Sequence, residues 1–563
     1  HHRSELSFFR MLLNQLKGVV LSMQAIRAVN PSARLVQTED LAYVQSAAKL
    51  SYQAEFENER RWLSFDFLCG RVAPGHYFWN YLLSLGIDEA ELRFFLDNPT
   101  PPSILGLDYY ITSERYLDDA LASYPESMHG GNGRDRYVDI AAVHTGRMIG
   151  LKKLLQQTGE RYGLPMAITE CTLACTREEQ MRWLKEIWNS AVWVNRHGYD
   201  VRGVTAWAMF GALDWNSLLT RRVMHYEPGV YDLTGNATRP TALARMLRSL
   251  SDTGEYHHPL LEAPGWWHLE KEKDMDRNIA QRRQSRPLFI IGRHGTLAQA
   301  FIRICKLRGI HAIAFSREEL NVLEADAVRH MIDVYHPWGL VNCAGYVNVD
   351  EAERQPAACF DLNTTAPTLL GEICASKGIR MLTFSSDLVF DGEQDTPYSE
   401  VDTVHPLNIY GISKARAEEK LAAINPAALI IRSSCFFGPW DQYNFPSILM
   451  ESIRSGRSLP VPIDVMVSPT YVPDLVNAAL DLFIDEEQGI WHIANNGEVT
   501  WSDFAKEIAQ REGLYAGNIH MLAAVEMPWL ARRPKYSVIA SNKGVRLPAL
   551  HKALDRFFTE SPC

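Results

Sequence analysis

The chain has 563 residues, 46% hydrophobic and 22% charged, with a formal net charge of -10. That length is too great for one core and calls for two or more domains. The composition is that of a soluble globular protein, and the negative balance gives no support for a nucleic-acid partner. No apolar run reaches the length of a membrane span, so no membrane partner is expected. Nine scattered cysteines form no paired framework, and Cys171 and Cys175 have no second ligand pair nearby, so no metal is expected. A reducing cytoplasm fits best. The chain begins at His1 and not at methionine, which reads as a fragment or a processed product.

Four strand candidates come first: "ARLVQTED", "SILGLDYYIT", "LPMAITEC" and "VRGVTAWAMF". Helical segments separate them, such as "TREEQMRWLKEIWNSAVWVNRHG". The third candidate ends at Glu170, and a carboxylate at a strand end is how barrel enzymes present an acid at their catalytic face. The competing reading places Glu170 in the approach to a helix that favours acids at its start. Residues 268–286, "HLEKEKDMDRNIAQRRQSR", are charged and poor in large apolar residues, which marks a domain boundary.

Beyond the boundary, strands and helices alternate. "LFIIG", "HAIAF", "GLVNCAG", "RMLTFSS" and "ALIIRSS" read as strands. "LAQAFIRICKLRG", "ADAVRHMIDVYH" and "APTLLGEICASKG" read as helices. Short apolar strands between amphipathic helices predict a parallel, doubly wound sheet. Between the first of these strands and its helix lie Gly292, Gly295 and Ala298. Glycine there lets the backbone pass close to a pyrophosphate, and the helix start at Thr296 and Leu297 supplies N–H donors. The second strand ends in Ser316 and Arg317 with no carboxylate. Arg317 is either a partner for a 2′-phosphate or a solvated surface residue; NADP is the expected cofactor, with NAD as the alternative.

Tyr410 stands four residues before Lys414 in "PLNIYGISKARAEE". On a helix these positions share a face, and an ammonium there is expected to lower the phenol pKa. Such a tyrosine can give a proton to a carbonyl oxygen as hydride reaches the carbon. The preceding strand ends in Ser385, Ser386 and Asp387, so a hydroxyl can share that oxygen. Glycine turn, strand-end serine and Tyr-x-x-x-Lys in this order form a joint signal.

Residues 287–563 resemble the dTDP-4-dehydrorhamnose reductase family, within the extended short-chain dehydrogenases. The likeness rests on "VNCAGYVNVDEAE", "FDLNTTAP", "FSSDLVFDG", "PLNIYGISKARAEE", "IIRSSCFFGPWDQYNF", "VSPTYVPDL", "GIWHIANNGEVTWSDFA" and "RRPKYSVIAS". It implies NADPH-dependent reduction of a 4-keto-6-deoxy sugar nucleotide, in surface polysaccharide synthesis. Ser386, Tyr410 and Lys414 match the family's catalytic triad. Gly292 and Gly295 match its pyrophosphate loop, with Thr296, Leu297, Arg317, Tyr410 and Lys414 as further cofactor contacts. A homo-oligomer is compatible with this reading. Val347 stands where the family has threonine, Val465 where glutamine follows the aspartate (here Asp464), and Asn321 where aspartate is common. These changes bear on which sugar is recognised. The alternative is a catalytically inactive sugar- or nucleotide-binding regulator.

Residues 8–250 resemble the last half of family 1 glycoside hydrolases, through "LGLDYYITSERY", "LPMAITE" and "GYDVRGVTAWAMFGALDWNSLL". The resemblance makes Glu170 the nucleophile position, places Tyr110 in the Asn-x-Tyr-like segment with Asp108 for the asparagine, and makes Trp207 and Trp215 sugar-facing. Asp214 shortens the family's acidic residue, and Gly211 and Ala212 replace polar ones. The family's acid/base lies in an Asn-Glu-Pro motif that this sequence lacks, and a retaining mechanism needs two carboxylates about 5 Å apart. No glycosidase activity is expected of this chain unless a longer native chain supplies that motif. The expected fold class is therefore α/β: a partial (β/α)8-type barrel over 1–265, a charged linker over 266–286, and a Rossmann-like doubly wound domain over 287–563.

Overall fold

The apolar runs of the sequence become the strands of a four-stranded and a six-stranded parallel sheet. The computed structural model describes residues 4–268, 285–515, 517, 519–545 and 547–560, so most of the expected linker lies outside the described residues. The chain divides into two units. One holds residues 1–175, 179–209 and 264–276, and the other holds 176–178, 210–263 and 277–563. The composition break drawn at 266 leaves 210–263 with the first half, whereas this division groups them with the second.

In the first unit, helix α1 (Glu5–Val29) buries Phe9, Leu13, Leu16, Val20 and Met23, the three-and-four spacing of one helical face. The first four of these side chains pack with Leu63, Phe67, Phe78, Trp79 and Leu82 in one core. Strands β1 (Val36–Asp40), β2 (Ile104–Asp108), β3 (Met166–Cys171) and β4 (Val201–Ala206) form a sheet in chain order. All neighbours are parallel. The sheet is open, and no closed barrel forms among the described residues. Its register sets Asp40 opposite Asp108 and Asp108 opposite Glu170, so three carboxylates line the carboxyl ends.

The second unit is built on six parallel strands: β5 (Leu288–Ile291), β6 (Ala312–Phe315), β7 (Gly339–Asn342), β8 (Arg380–Ser386), β9 (Leu429–Ser433) and β10 (Gly489–His492). Their order is β6-β5-β7-β8-β9-β10. Strands β5, β7 and β9 are buried at every position, as expected where helices cover both faces. Phe289, Ile291, Phe315, Leu340, Leu370 and Ile430 share one core. The order reverses between β5 and β7, and ligands of such sheets bind at the carboxyl ends beside that reversal. Among the described residues no helix is long and apolar enough to cross a membrane.

Candidate active site

Gly292 closes β5 with φ +93°, and a β-carbon there would stand 3.0 Å from the backbone nitrogen of Ala344 beyond β7. Only glycine meets both demands. The turn is tied across the sheet, because the N–H groups of Gly292 and Arg293 both donate to Phe315 O at 3.0 Å. Helix α2 (Thr296–Leu307) starts at once. Its cap is Gly295, which offers no side chain to the first N–H groups, so the donors of Thr296 and Leu297 stay available to an anion. Ala298 is fully buried and lets the helix pack closely. The Thr296 hydroxyl donates to Asp441 Oδ2 at 2.8 Å. This cradle fits a dinucleotide pyrophosphate. Arg317 is exposed at the tip of β6.

Ser386 ends β8. Its hydroxyl donates to Asp387 Oδ1 at 3.0 Å and accepts from Leu388 N at 3.1 Å. Asp387 also accepts from the Ser434 hydroxyl at 3.0 Å, and burial raises its carboxyl pKa. Ser385 has the opposite lot: its buried hydroxyl finds no protein partner.

Tyr410 and Lys414 lie on helix α3 (Ile409–Ile424). Asn408 caps it, accepting from Gly411 N at 2.8 Å, and Glu353 accepts from Ile409 N at 2.8 Å. Gly411 lets the helix touch the turn after Ser386, since a β-carbon there would lie 2.1 Å from Leu388 O. That contact brings Ser386 and Tyr410 together. Burial pushes the Tyr410 phenol up, and contact with the Ser386 hydroxyl pulls it part of the way back. This reverses the expected lowering by Lys414. The Lys414 ammonium sits 5.9 Å from the Tyr410 ring centre and donates to Phe384 O at 3.1 Å. Burial depresses its own pKa to about 8. Desolvation of the pair therefore outweighs their mutual interaction.

Sequence reasoning missed Asn363. It lies in a π-helical turn over Asp361–Thr365, a local widening that often marks functional sites. Its amide oxygen accepts from Tyr346 N at 2.8 Å, and its NH2 donates to Tyr346 O at 3.0 Å and to Ser413 Oγ at 3.1 Å. It thus ties the loop after β7 to the helix bearing Tyr410. Of the departures noted in the sequence, Val347 is 79% exposed and Val465 is 3% exposed. Asn321 caps a local turn, accepting from Leu323 N at 3.2 Å.

In the first unit Glu170 belongs to β3 and not to the start of the helix at Arg177. The Tyr110 hydroxyl donates to Glu170 Oε2, so these two predicted residues meet. Asp108 accepts from Thr169 Oγ1 at 2.7 Å, and burial, followed by the charge of Glu170, raises its pKa. Trp207 falls in the first unit and Trp215 in the second.

A family profile described as the RmlD substrate binding domain matches residues 286–560. A dTDP-4-dehydrorhamnose reductase of Aggregatibacter actinomycetemcomitans is 30% identical, over 46% of this chain and 91% of its own length. One from Mycolicibacterium smegmatis is 28% identical, over 50% of this chain and 87% of its own. The structure of a dTDP-4-dehydrorhamnose reductase from Bacillus anthracis in complex with NADP is similar at 26% identity and a TM-score of 0.47, over 49% of this chain and 99% of that one.

Proposed function

Through residues 286–560 the chain belongs to the dTDP-4-dehydrorhamnose reductase family, and from that premise we propose that its second unit reduces the 4-keto group of a 6-deoxy sugar nucleotide with NADPH. The observation that carries this reading is the convergence of Ser386, Tyr410 and Lys414 near the carboxyl end of β8, in the same sheet as the glycine cradle.

NADPH, when bound, supplies the hydride. The raised phenol keeps Tyr410 protonated at neutral pH, the state a general acid needs. Tyr410 donates its proton to the carbonyl oxygen as negative charge develops there. The Ser386 hydroxyl turns from Asp387 to the same oxygen and adds a second donor. Lys414, held by the Phe384 carbonyl, supplies positive charge that steadies the phenolate as the proton leaves. Asn363 keeps the loop after β7 in register with this helix.

The test is NADPH consumption with dTDP-4-keto-6-deoxy-L-mannose. Tyr410→Phe is expected to lose at least about 10²-fold in kcat while still binding NADPH. A wild-type chain that binds NADPH yet leaves this sugar untouched points to another keto sugar. A chain that binds neither NADPH nor NADH refutes the reductase reading.

For the first unit we infer a sugar-binding or scaffolding role. Its Tyr110–Glu170 pair supports contact with a sugar, and the missing Asn-Glu-Pro motif removes the partner acid that hydrolysis requires. Release of a phenol from aryl glycosides by this chain would contradict it.

A further inference from the structure

The tip of β6 carries no carboxylate of its own, since Ser316 and Arg317 follow Phe315. The chain brings one back from three residues further on. Glu319 Oε2 accepts from Ser316 N at 2.8 Å, and Glu319 Oε1 accepts from Arg293 Nη1 at 2.6 Å. Arg293 follows Gly292 directly in the glycine turn. Its Nε and Nη2 both donate to Ala314 O, Nε at 2.9 Å. The guanidinium is thus laid from the turn across the end of β6. A cation and an anion face each other where the adenosine ribose of a dinucleotide rests in sheets of this kind. Both remain reachable from solvent, at 37% and 44% exposure. The backbone N–H of Ser316, followed by Arg293, holds the Glu319 carboxyl below its ordinary range.

We propose that the Arg293–Glu319 pair, and not Arg317, sets the choice between the two nicotinamide cofactors. This rests on the dinucleotide site argued above. A ribose 2′-hydroxyl donates to Glu319 and leaves the ion pair intact. A 2′-phosphate is repelled by Glu319 and is bound by the Arg293 fork only once that pair opens. The site therefore accepts both cofactors, and the ion pair weakens NADPH binding while it supports NADH.

The experiment is titration of the wild-type chain, Glu319→Gln and Arg293→Lys with NADPH and with NADH, without sugar, read by nicotinamide fluorescence. Glutamine keeps an acceptor for Ser316 N and loses the charge. Glu319→Gln is expected to tighten NADPH and weaken NADH, moving the ratio of their Kd values by about tenfold, or 1.4 kcal/mol. Arg293→Lys keeps a charge but loses the fork, and is expected to weaken NADPH alone. Equal changes in both Kd values, or none, in Glu319→Gln would overturn the proposal. So would a larger loss of NADPH affinity in Arg317→Ala than in Arg293→Lys. If neither nucleotide binds the wild-type chain or Glu319→Gln, the dinucleotide site itself is refuted and the proposal goes with it.

Discussion

Replacing Gly411 with alanine probes the contact that assembles the site. The new β-carbon would stand 2.1 Å from the backbone oxygen of Leu388 and 3.0 Å from Pro406 Cβ. Contacts under 3.0 Å essentially never occur for real β-carbons, and the obstacle is backbone, which does not swing aside. Helix α3 must therefore withdraw from the end of β8 by about 1 Å. Tyr410 immediately precedes Gly411, and Leu388 N is bonded to Ser386, so the shift parts the phenol from the serine hydroxyl. A misplacement of about 1 Å costs on the order of 10²-fold in rate. Overpacking costs about 1–3 kcal/mol, which lowers Tm by roughly 1–4 °C for a unit of this size. The assay is kcat/KM for the sugar nucleotide beside a melting curve. NADPH affinity should fall less than kcat/KM, because the glycine turn lies off the displaced helix that carries Tyr410 and Lys414. Wild-type Tm together with wild-type kcat/KM in Gly411→Ala would refute the reasoning.

Ser385→Ala removes a buried hydroxyl that has no protein partner, and should stabilise the chain by about 1 kcal/mol in urea unfolding. Ser386→Ala, one residue on, should instead lower kcat by about 10²-fold. Lys414, depressed to about 8 by burial, loses its charge as pH rises through that value. Hence kcat/KM should fall above about pH 8, and Lys414→Arg, which stays charged, should abolish that limb of the profile. Because the unfolded chain keeps this proton to higher pH, stability should rise between pH 8 and the ordinary lysine value of 10.5, and Lys414→Met should raise Tm at neutral pH. Asn363→Ala leaves the Tyr346 N–H without its acceptor and takes one donor from the Ser413 hydroxyl, and should destabilise by about 1–3 kcal/mol in a denaturant titration.

The second unit was legible where local pattern and burial agree. Leu288–Ile291 and Gly339–Asn342 are short apolar runs because helices cover both faces of the sheet. Tyr410 and Lys414 could be paired because helical spacing is a local rule. Gly489–His492 escaped notice as a strand, being short and ending in histidine. The direction of the Tyr410 shift was not readable either. Sequence shows the lysine beside the phenol, whereas the burial that dominates both groups comes from packing. Glu319 looked like an ordinary surface acid, and only the folded turn brings it to Ser316 N and Arg293. Gly411 and Asn363 matter through partners more than 15 residues away in sequence, Leu388 for one and Tyr346 and Ser413 for the other, and no spacing rule reveals such contacts.

The most direct test of the central claim follows the hydride itself. The wild-type chain and Tyr410→Phe are each given NADPH deuterated at the transferable position of nicotinamide C4, together with dTDP-4-keto-6-deoxy-L-mannose. The sugar product is then read by mass spectrometry and NMR. The account predicts one deuterium on sugar C4 with the wild-type chain and almost none with Tyr410→Phe. Equal labelling by Tyr410→Phe, or label reaching a sugar carbon other than C4, would contradict it.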